Sequence, residues 1–182
     1  MKPEILLHIC CAPDSTAVHE RLATRFRVSG FFHNPNIHPE EEYRRRLAET
    51  ERVAQERNFR LLQPPYDPEI WHRAVKGLEQ EPEGGQRCTV CFRLNLRATA
   101  RKAKELGFPL FTTTLTLSPH KSSNRIMAIG HEAGEEFEVR FLAENFKQRD
   151  GFKRSLELSK EMRLYRQHYC GCRYSFHEGR SA

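Results

Sequence analysis

The chain lacks any apolar run long enough to cross a membrane; its longest apolar stretches have the length of strands. It has no internal repeat and no low-complexity segment, which excludes solenoids, arrays and disordered tails as its main content. The start, Met1-Lys2-Pro3-Glu4-Ile5-Leu6-Leu7, lacks the shape of a signal peptide, because an acidic residue precedes a short apolar run. These absences predict a cytosolic protein whose thiols stay reduced and which keeps no membrane partner. At 182 residues it can bury a real core without disulfides. No glycine lies in Cys10-Cys11-Ala12-Pro13-Asp14-Ser15, the loop after the first apolar run, and Pro13 removes a backbone donor there. That composition disfavours a phosphate cradle, and with it an ATP-dependent tRNA-modifying enzyme of the Gly-rich-loop kind. Finally, no cysteine lies outside three tight groups.

Those groups are Cys10-Cys11, Cys88-x-x-Cys91 and Cys170-Gly171-Cys172. Cysteines kept for packing scatter, whereas such spacings let two thiolates reach one atom. Cys88-x-x-Cys91 opens a helix, where thiol pKa values fall, and by itself fits zinc, an iron–sulfur cluster or a redox dithiol. Cys10-Cys11 follows a strand, in which neighbouring side chains point to opposite faces. The two can share a site only if the chain turns there, as Pro13 suggests. Cys170-Gly171-Cys172 fits either metal ligation or a strained, reducible disulfide. Asp14, in the loop of the first pair, is a hard metal ligand, a proton donor or simply a first-turn helix residue. Six thiolates exceed one tetrahedral zinc, and a 4Fe–4S cluster needs four. The surplus points to a second metal or a redox pair. A zinc-stabilised RNA-binding protein without catalysis is the competing class.

The apolar periodicity predicts strands over 4–10, 27–33, 59–63, 110–117 and 138–142. Helices are predicted from Ser15, as cap, to about 25, then over 40–58, 67–77, 91–106, about 121–135 and 152–166. Alternation of this kind implies an α/β fold, a parallel sheet with helices on both faces. Residues 1–182 then form a single domain, in which a helical segment from about 146 to 182 completes the metal site. If the first and fourth strands are neighbours, Cys10-Cys11 and Ser118, His120 and Lys121 face one crevice beyond their carboxyl ends.

The net charge of +6 is unevenly spread. Residues 40–83 hold 11 acidic and 8 basic side chains, whereas 87–104 hold 6 basic and none acidic, and 147–182 hold 9 basic and 4 acidic. Positive charge beside the second and third cysteine groups suits a polyanion such as a nucleic acid. Arg93, Arg97, Arg101 and Lys104 recur at helical spacing and predict salt-sensitive phosphate contact, with a solvated face as the plain alternative. His33, His38, His120, Tyr43, Tyr165 and Tyr169, taken singly, read as structural hydrogen-bonders.

Several blocks together resemble the QueH-type epoxyqueuosine reductases. They are Leu6-Leu7-His8-Ile9-Cys10-Cys11-Ala12-Pro13-Asp14-Ser15; Asn34-Pro35-Asn36-Ile37-His38-Pro39 with Tyr43; Arg87-Cys88-x-x-Cys91-Phe92; Phe111-Thr112-Thr113-Thr114-Leu115-x-x-Ser118-Pro119-His120-Lys121; and Tyr165-Arg166-Gln167-x-Tyr169-Cys170-Gly171-Cys172-x-Tyr174-Ser175. Asp14 stands where many members carry Cys. The resemblance implies an adenine-nucleotide hydrolase-like core and cobalamin-independent reduction of epoxyqueuosine to queuosine at the tRNA wobble position. It implies a 4Fe–4S cluster on Cys10, Cys11, Cys88 and Cys91. Cys170 and Cys172 would be a redox pair or, with Asp14, ligands of an additional mononuclear iron. Removing the epoxide oxygen as water takes two electrons and two protons. The expectation is Lewis acidity from an iron with an open position, electrons from a donor of unknown identity by way of the cluster, and protons from Asp14 or a nearby His or Tyr. Asn34, Tyr43, Ser118, His120, Lys121 and Arg166 are the expected substrate-binding residues.

Overall fold

The computed structural model describes residues 1–176. Its centre is an all-parallel sheet built of β1 (Glu4–His8), β2 (Arg27–Phe31), β3 (Arg60–Leu62), β4 (Leu110–Thr113) and β5 (Arg140–Phe141), in the order β3-β2-β1-β4-β5. This is the parallel α/β arrangement that the alternation of strands and helices implied. Strand order reverses at β1, which pairs Leu7 with Gly30 of β2 and with Thr112 of β4. The crevice expected beyond β1 and β4 is therefore real.

Both faces of the sheet are covered, as they must be when strands read as unbroken apolar runs. Ile5, Leu7 and Ile9 point to one face, where they meet Val18 and Leu22 of α1 (Ala12–Ala23) and Val53 of α2 (Glu40–Glu56). Leu6 points to the other, against Leu96 and Ala100 of α4 (Gln86–Leu106) and Ile126 and Ile129 of α5 (Ser123–Phe137). Each fully buried Leu or Ile contributes about 1.5–3 kcal/mol. The short α3 (Pro68–Ala74) precedes α4, and α6 (Gly151–Glu161) packs beside α1.

Four of the boundaries that differ from the sequence reading shape the crevice. β1 ends at His8, so Ile9–Cys11 form a connection that bends at Cys10. α1 begins at Ala12 with Cys11, not Ser15, at its cap. Pro13 suits the first turn because its missing N–H has no intrahelical partner to lose. Ser15 is already inside and donates to Ala12 O at 2.7 Å. α4 begins at Gln86 rather than 91, after the Gly84-Gly85 break, which puts both Cys88 and Cys91 in the helix. The Thr-rich run leaves the sheet at Thr113. The Thr113 Oγ1 accepts from Leu115 N at 3.1 Å and caps a 3₁₀ turn, Thr114–Leu117, because threonine hydroxyls compete with the ladder for backbone groups.

The last helix also stops early. Met162 closes α6 and Arg163 turns left-handed at φ 50°, so 163–176 carries no helix or strand of its own. Residues 177–182 of the expected C-terminal segment lie outside the described residues. Among the described residues, no helix is long and apolar enough to cross a membrane.

Candidate metal and substrate site

A cavity of about 530 Å³ opens at the switch point, beyond the carboxyl ends of β1 and β4. It gathers all three cysteine groups. Cys10, Cys88, Cys91, Cys170 and Cys172 line it together with Asp14, while Cys11 stands directly behind Cys10 with 3.8 Å between the sulfurs. The bend at Cys10 turns two adjacent side chains to the same side. The ligand atoms of Cys10, Cys11 and Asp14 lie within 4.8 Å of one another. Asp14 does not cap α1. It is buried in the first turn, where its Oδ2 accepts from the Cys10 thiol at 3.7 Å. Cys88 and Cys91 lie three residues apart on α4 and so share a helix face. All six thiols are free.

The fold holds each group by a different means. Thr114, in the 3₁₀ turn after β4, accepts from Cys10 N at 3.1 Å and donates to its sulfur at 3.2 Å. The Gly84 N–H donates to the Cys88 sulfur at 3.2 Å. The third group is clamped by Arg46, a buried side chain of α2. Its guanidinium donates to the carbonyls of Tyr169 and Cys170, both at 3.0 Å, while its Nε pairs with Glu42 at 2.6 Å. Gly171 is obligatory in that clamp. Its φ is +109°, and a Cβ there would come within 2.9 Å of Ile37 and 3.0 Å of Arg46. The Ser175 hydroxyl meets the Cys170 sulfur at 3.0 Å.

Electrostatics splits the thiols. Hydrogen bonding from Cys172 holds the Cys170 thiol down, at about 5, aided by Lys121 and Ser175, and Cys172 is pushed up in exchange. Cys10 is likewise lowered, mainly by its bond with Cys11, which rises. Burial pushes up Cys88, Cys91 and the Asp14 carboxyl. Lys121 faces this array. Burial works against its charge, but Cys10, Cys170 and Asp14 outweigh it and hold the ammonium more firmly than usual.

The donor set fits a metal. Five soft sulfurs and the Asp14 carboxylate line one space, with Cys11 beside Cys10 and cationic Lys121 to balance their charge. A further observation agrees. The buried Trp71 Nε1 has no acceptor among the described residues, yet it faces the Cys91 sulfur closely enough to favour its thiolate. A buried N–H near a thiol is the kind of outer-shell donor that metal sites use.

Of the expected substrate-binding residues, Asn34, Ser118, His120, Lys121 and Arg166 line the cavity. The Asn34 amide is committed to Ile9 O at 2.8 Å, and Arg166 donates to Ser159 Oγ at 3.1 Å. Tyr43 does not reach the wall. It is buried in the core, stacked on Tyr66 at 4.2 Å between ring centroids, because its helix turns it toward Phe32. The sequence reading missed Trp71, Asn95 and Gln167, all on the wall. Asn95 had a visible signal, since it lies four residues after Cys91 on the same helix face, and its Nδ2 reaches that sulfur at 3.8 Å.

The basic stripe of α4 is not a bare phosphate track. Arg93, Arg97 and Lys104 pair with Glu132, Glu136 and Glu138 at the α5 side, and Arg101 and Lys102 pair with Glu105. Acids brought from 34 or more positions away in sequence, with Glu105 just past the segment, neutralise a stretch that looks uniformly cationic by itself.

The model of the family described as "Epoxyqueuosine reductase QueH" matches residues 5–178. A protein named epoxyqueuosine reductase QueH from Streptococcus pyogenes serotype M1 is 43% identical over 181 residues, covering 96% of this chain and 71% of that protein. One of the same name from Thermotoga maritima is 38% identical over 181 residues, covering 97% and 92%. Among solved structures, a predicted subunit of tRNA methyltransferase from Methanocaldococcus jannaschii superposes with a TM-score of 0.58 at 13% identity, covering 87% of this chain and 75% of that one. At that identity the likeness shows a shared fold alone. The chain belongs to the epoxyqueuosine reductase QueH family.

Proposed function

We propose that this protein is an oxidoreductase of the cytoplasm that reduces epoxyqueuosine to queuosine at the wobble position of tRNA. One observation carries the reading: cysteine groups far apart in sequence, at 10–11, 88–91 and 170–172, meet with Asp14 at one cavity beside the switch point. The names of the relatives supply the reaction.

In this reading residues 1–182 act as one unit, and the segment from about 146 onward completes the metal site. Cys10, Cys11, Cys88 and Cys91 would hold a 4Fe–4S cluster, and Cys170 and Cys172 would serve either with Asp14 as ligands of a mononuclear iron or by themselves as a redox pair. When bound, these groups supply single electrons and Lewis acidity. The chain's own residues do the rest. Lys121 offsets the thiolate charge. His120, Ser118, Asn34 and Arg166 present polar groups to the cyclopentane ring and its sugar. Where Cys170 and Cys172 act as a redox pair and Asp14 is not a ligand, its carboxyl delivers a proton to the departing oxygen, and the burial that raises its pKa keeps that proton available. The balance is two electrons and two protons in, one water and one alkene out.

The test is direct. Protein purified without oxygen is expected to be brown, with absorption near about 400 nm from thiolate–iron charge transfer, whereas a zinc protein is colourless. With a chemical one-electron reductant and epoxyqueuosine-containing tRNA, mass spectrometry of digested tRNA should find a nucleoside lighter by one oxygen. Asp14→Ala should abolish that product while the absorption persists. Full activity in that variant would remove Asp14 from the mechanism, and a colourless wild-type protein would remove the iron.

A further inference from the structure

Positive charge on this molecule is of two kinds. On α4 it is spent within the fold, because Arg93, Arg97 and Lys104 each hold a glutamate near α5. Around the cavity part of it is not, although Arg46 holds Glu42 and Lys121 faces the thiols. Arg125, on the wall, donates to the Gly84 carbonyl and the Thr89 hydroxyl, and Arg166, also on the wall, to the Ser159 hydroxyl. Lys147 donates to the Lys121 carbonyl at 2.7 Å. All of these partners are neutral, and among the described residues none of the three cations forms an ion pair. The wall carries two carboxylates, Asp14 and Glu83.

The same wall carries an aromatic that the core does not explain. Phe176 is 61% exposed, yet it lines the cavity and stands edge-on to Tyr169, with 5.1 Å between centroids and 78° between planes. Tyr169 is fixed from behind by its hydroxyl, which donates to His38 O, and by Arg46 beneath its ring. A rigid aromatic carrying a second, exposed ring, on the same wall as guanidinium groups that form no ion pair among the described residues, is the combination that receives unpaired nucleobases.

We propose that an RNA loop docks on this rim rather than along α4. An unpaired base beside the reacting nucleoside stacks on Phe176, braced by Tyr169, and Arg125, Lys147 and Arg166 meet the adjoining phosphates. The placement rests on the proposed tRNA substrate and adds where and by which groups the RNA is held.

The experiment is equilibrium binding of the full chain to a fluorescently labelled, unmodified anticodon stem–loop RNA, followed by anisotropy at several salt concentrations. It needs no turnover. Phe176→Ala should weaken binding roughly tenfold to a hundredfold, and Phe176→Trp should bind as tightly as the parent, since either ring offers a π-face. Lys147→Gln and Arg125→Gln should each flatten the slope of log K against log salt by about 0.7. Arg93→Gln and Arg97→Gln should leave both affinity and slope unchanged. Phe176→Ala binding like the wild type would overturn the placement, as would α4 variants that weaken binding as much as the rim variants do. A wild-type chain with no saturable binding would overturn the tRNA reading itself, a result distinct from either.

Discussion

The cysteines at the β1–α1 junction and on α4 are held by the body of the fold, whereas Cys170 and Cys172 ride on a segment with no helix or strand of its own. The first set inherits its position from strands buried on both faces and from a 21-residue helix packed along the sheet. The second rests on a small apolar cluster of Cys172 with Trp71 and Val75 and on a few polar bonds: the Arg46 guanidinium to two carbonyls, the His38 N–H to Gly171 O at 2.7 Å, and Ser175. Burial of apolar surface is spread over many atoms and degrades gradually, while a polar clamp fails when one donor is removed. The two halves of one site should therefore respond to mutation very differently.

The largest contrast is expected at Arg46. Arg46→Ala leaves Glu42 without its buried partner and releases both carbonyls, at a cost of roughly 3–5 kcal/mol. Urea denaturation measures that loss. Thiol alkylation mapped by mass spectrometry should find Cys170 and Cys172 exposed to reagent, with Cys10, Cys88 and Cys91 unchanged. If all the thiols open together, the two halves are a single cooperative unit and the contrast breaks.

Gly171→Ala sharpens the same comparison with a smaller change. The left-handed φ and the close approach to Ile37 together cost on the order of 1–3 kcal/mol. Here the loop should shift while the remaining thiols keep their alkylation pattern. A variant as stable as the parent would mean that the loop relaxes freely and that the clamp does not fix Cys170.

How much of this was legible in the sequence follows the same division. The parallel sheet and its helices could be read because periodicity and turn residues are local, and the crevice at the first and fourth strands followed from their carboxyl ends. That Cys10-Cys11 must turn was readable from Pro13. The clamp was not legible, since Arg46 sits in a helix whose surface is otherwise full of exposed charge, and only the fold shows that its side chain is turned inward. The ion pairs of the α4 stripe were not legible for the converse reason, because most of its glutamate partners come from a later helix and its cap. Tyr43 carried the motif's spacing but not its orientation, which the packing of α2 against Phe32 decides.

In the first half, Thr114→Val removes the hydroxyl that holds both the backbone and the sulfur of Cys10 while keeping the volume. The expected loss is about 1 kcal/mol. Cys10 alone should gain reactivity toward alkylating reagent, because β1 and α1 still fix its neighbours. A loss as large as that of Arg46→Ala would show that the rigid half, too, hangs on single bonds.

The smallest effect concerns acid. His19, on α1, is stacked on Phe59, and burial, aided by the Arg57 charge, lowers its pKa to about 4. Its folded-state pKa lies below the ordinary value of 6.5, so the unfolded chain takes up a proton that the folded chain refuses. Stability is then constant above about 6.5 and falls as pH drops from there toward 4. His8 and His33 shift in the same direction for the same reason, so His19→Gln should reduce the slope of stability against pH in this window by at most one proton without abolishing it. These histidines lie on the β1–α1–β2 side, whereas burial raises the carboxyl-terminal tyrosines Tyr165 and Tyr169, which remain neutral across that range. Cys170, held at about 5, takes up its proton in the same range, so acid should loosen both halves rather than the polar clamp alone. Hydrogen exchange at pH 5 against pH 7 tests this, with faster exchange expected in α1 as well as near Cys170.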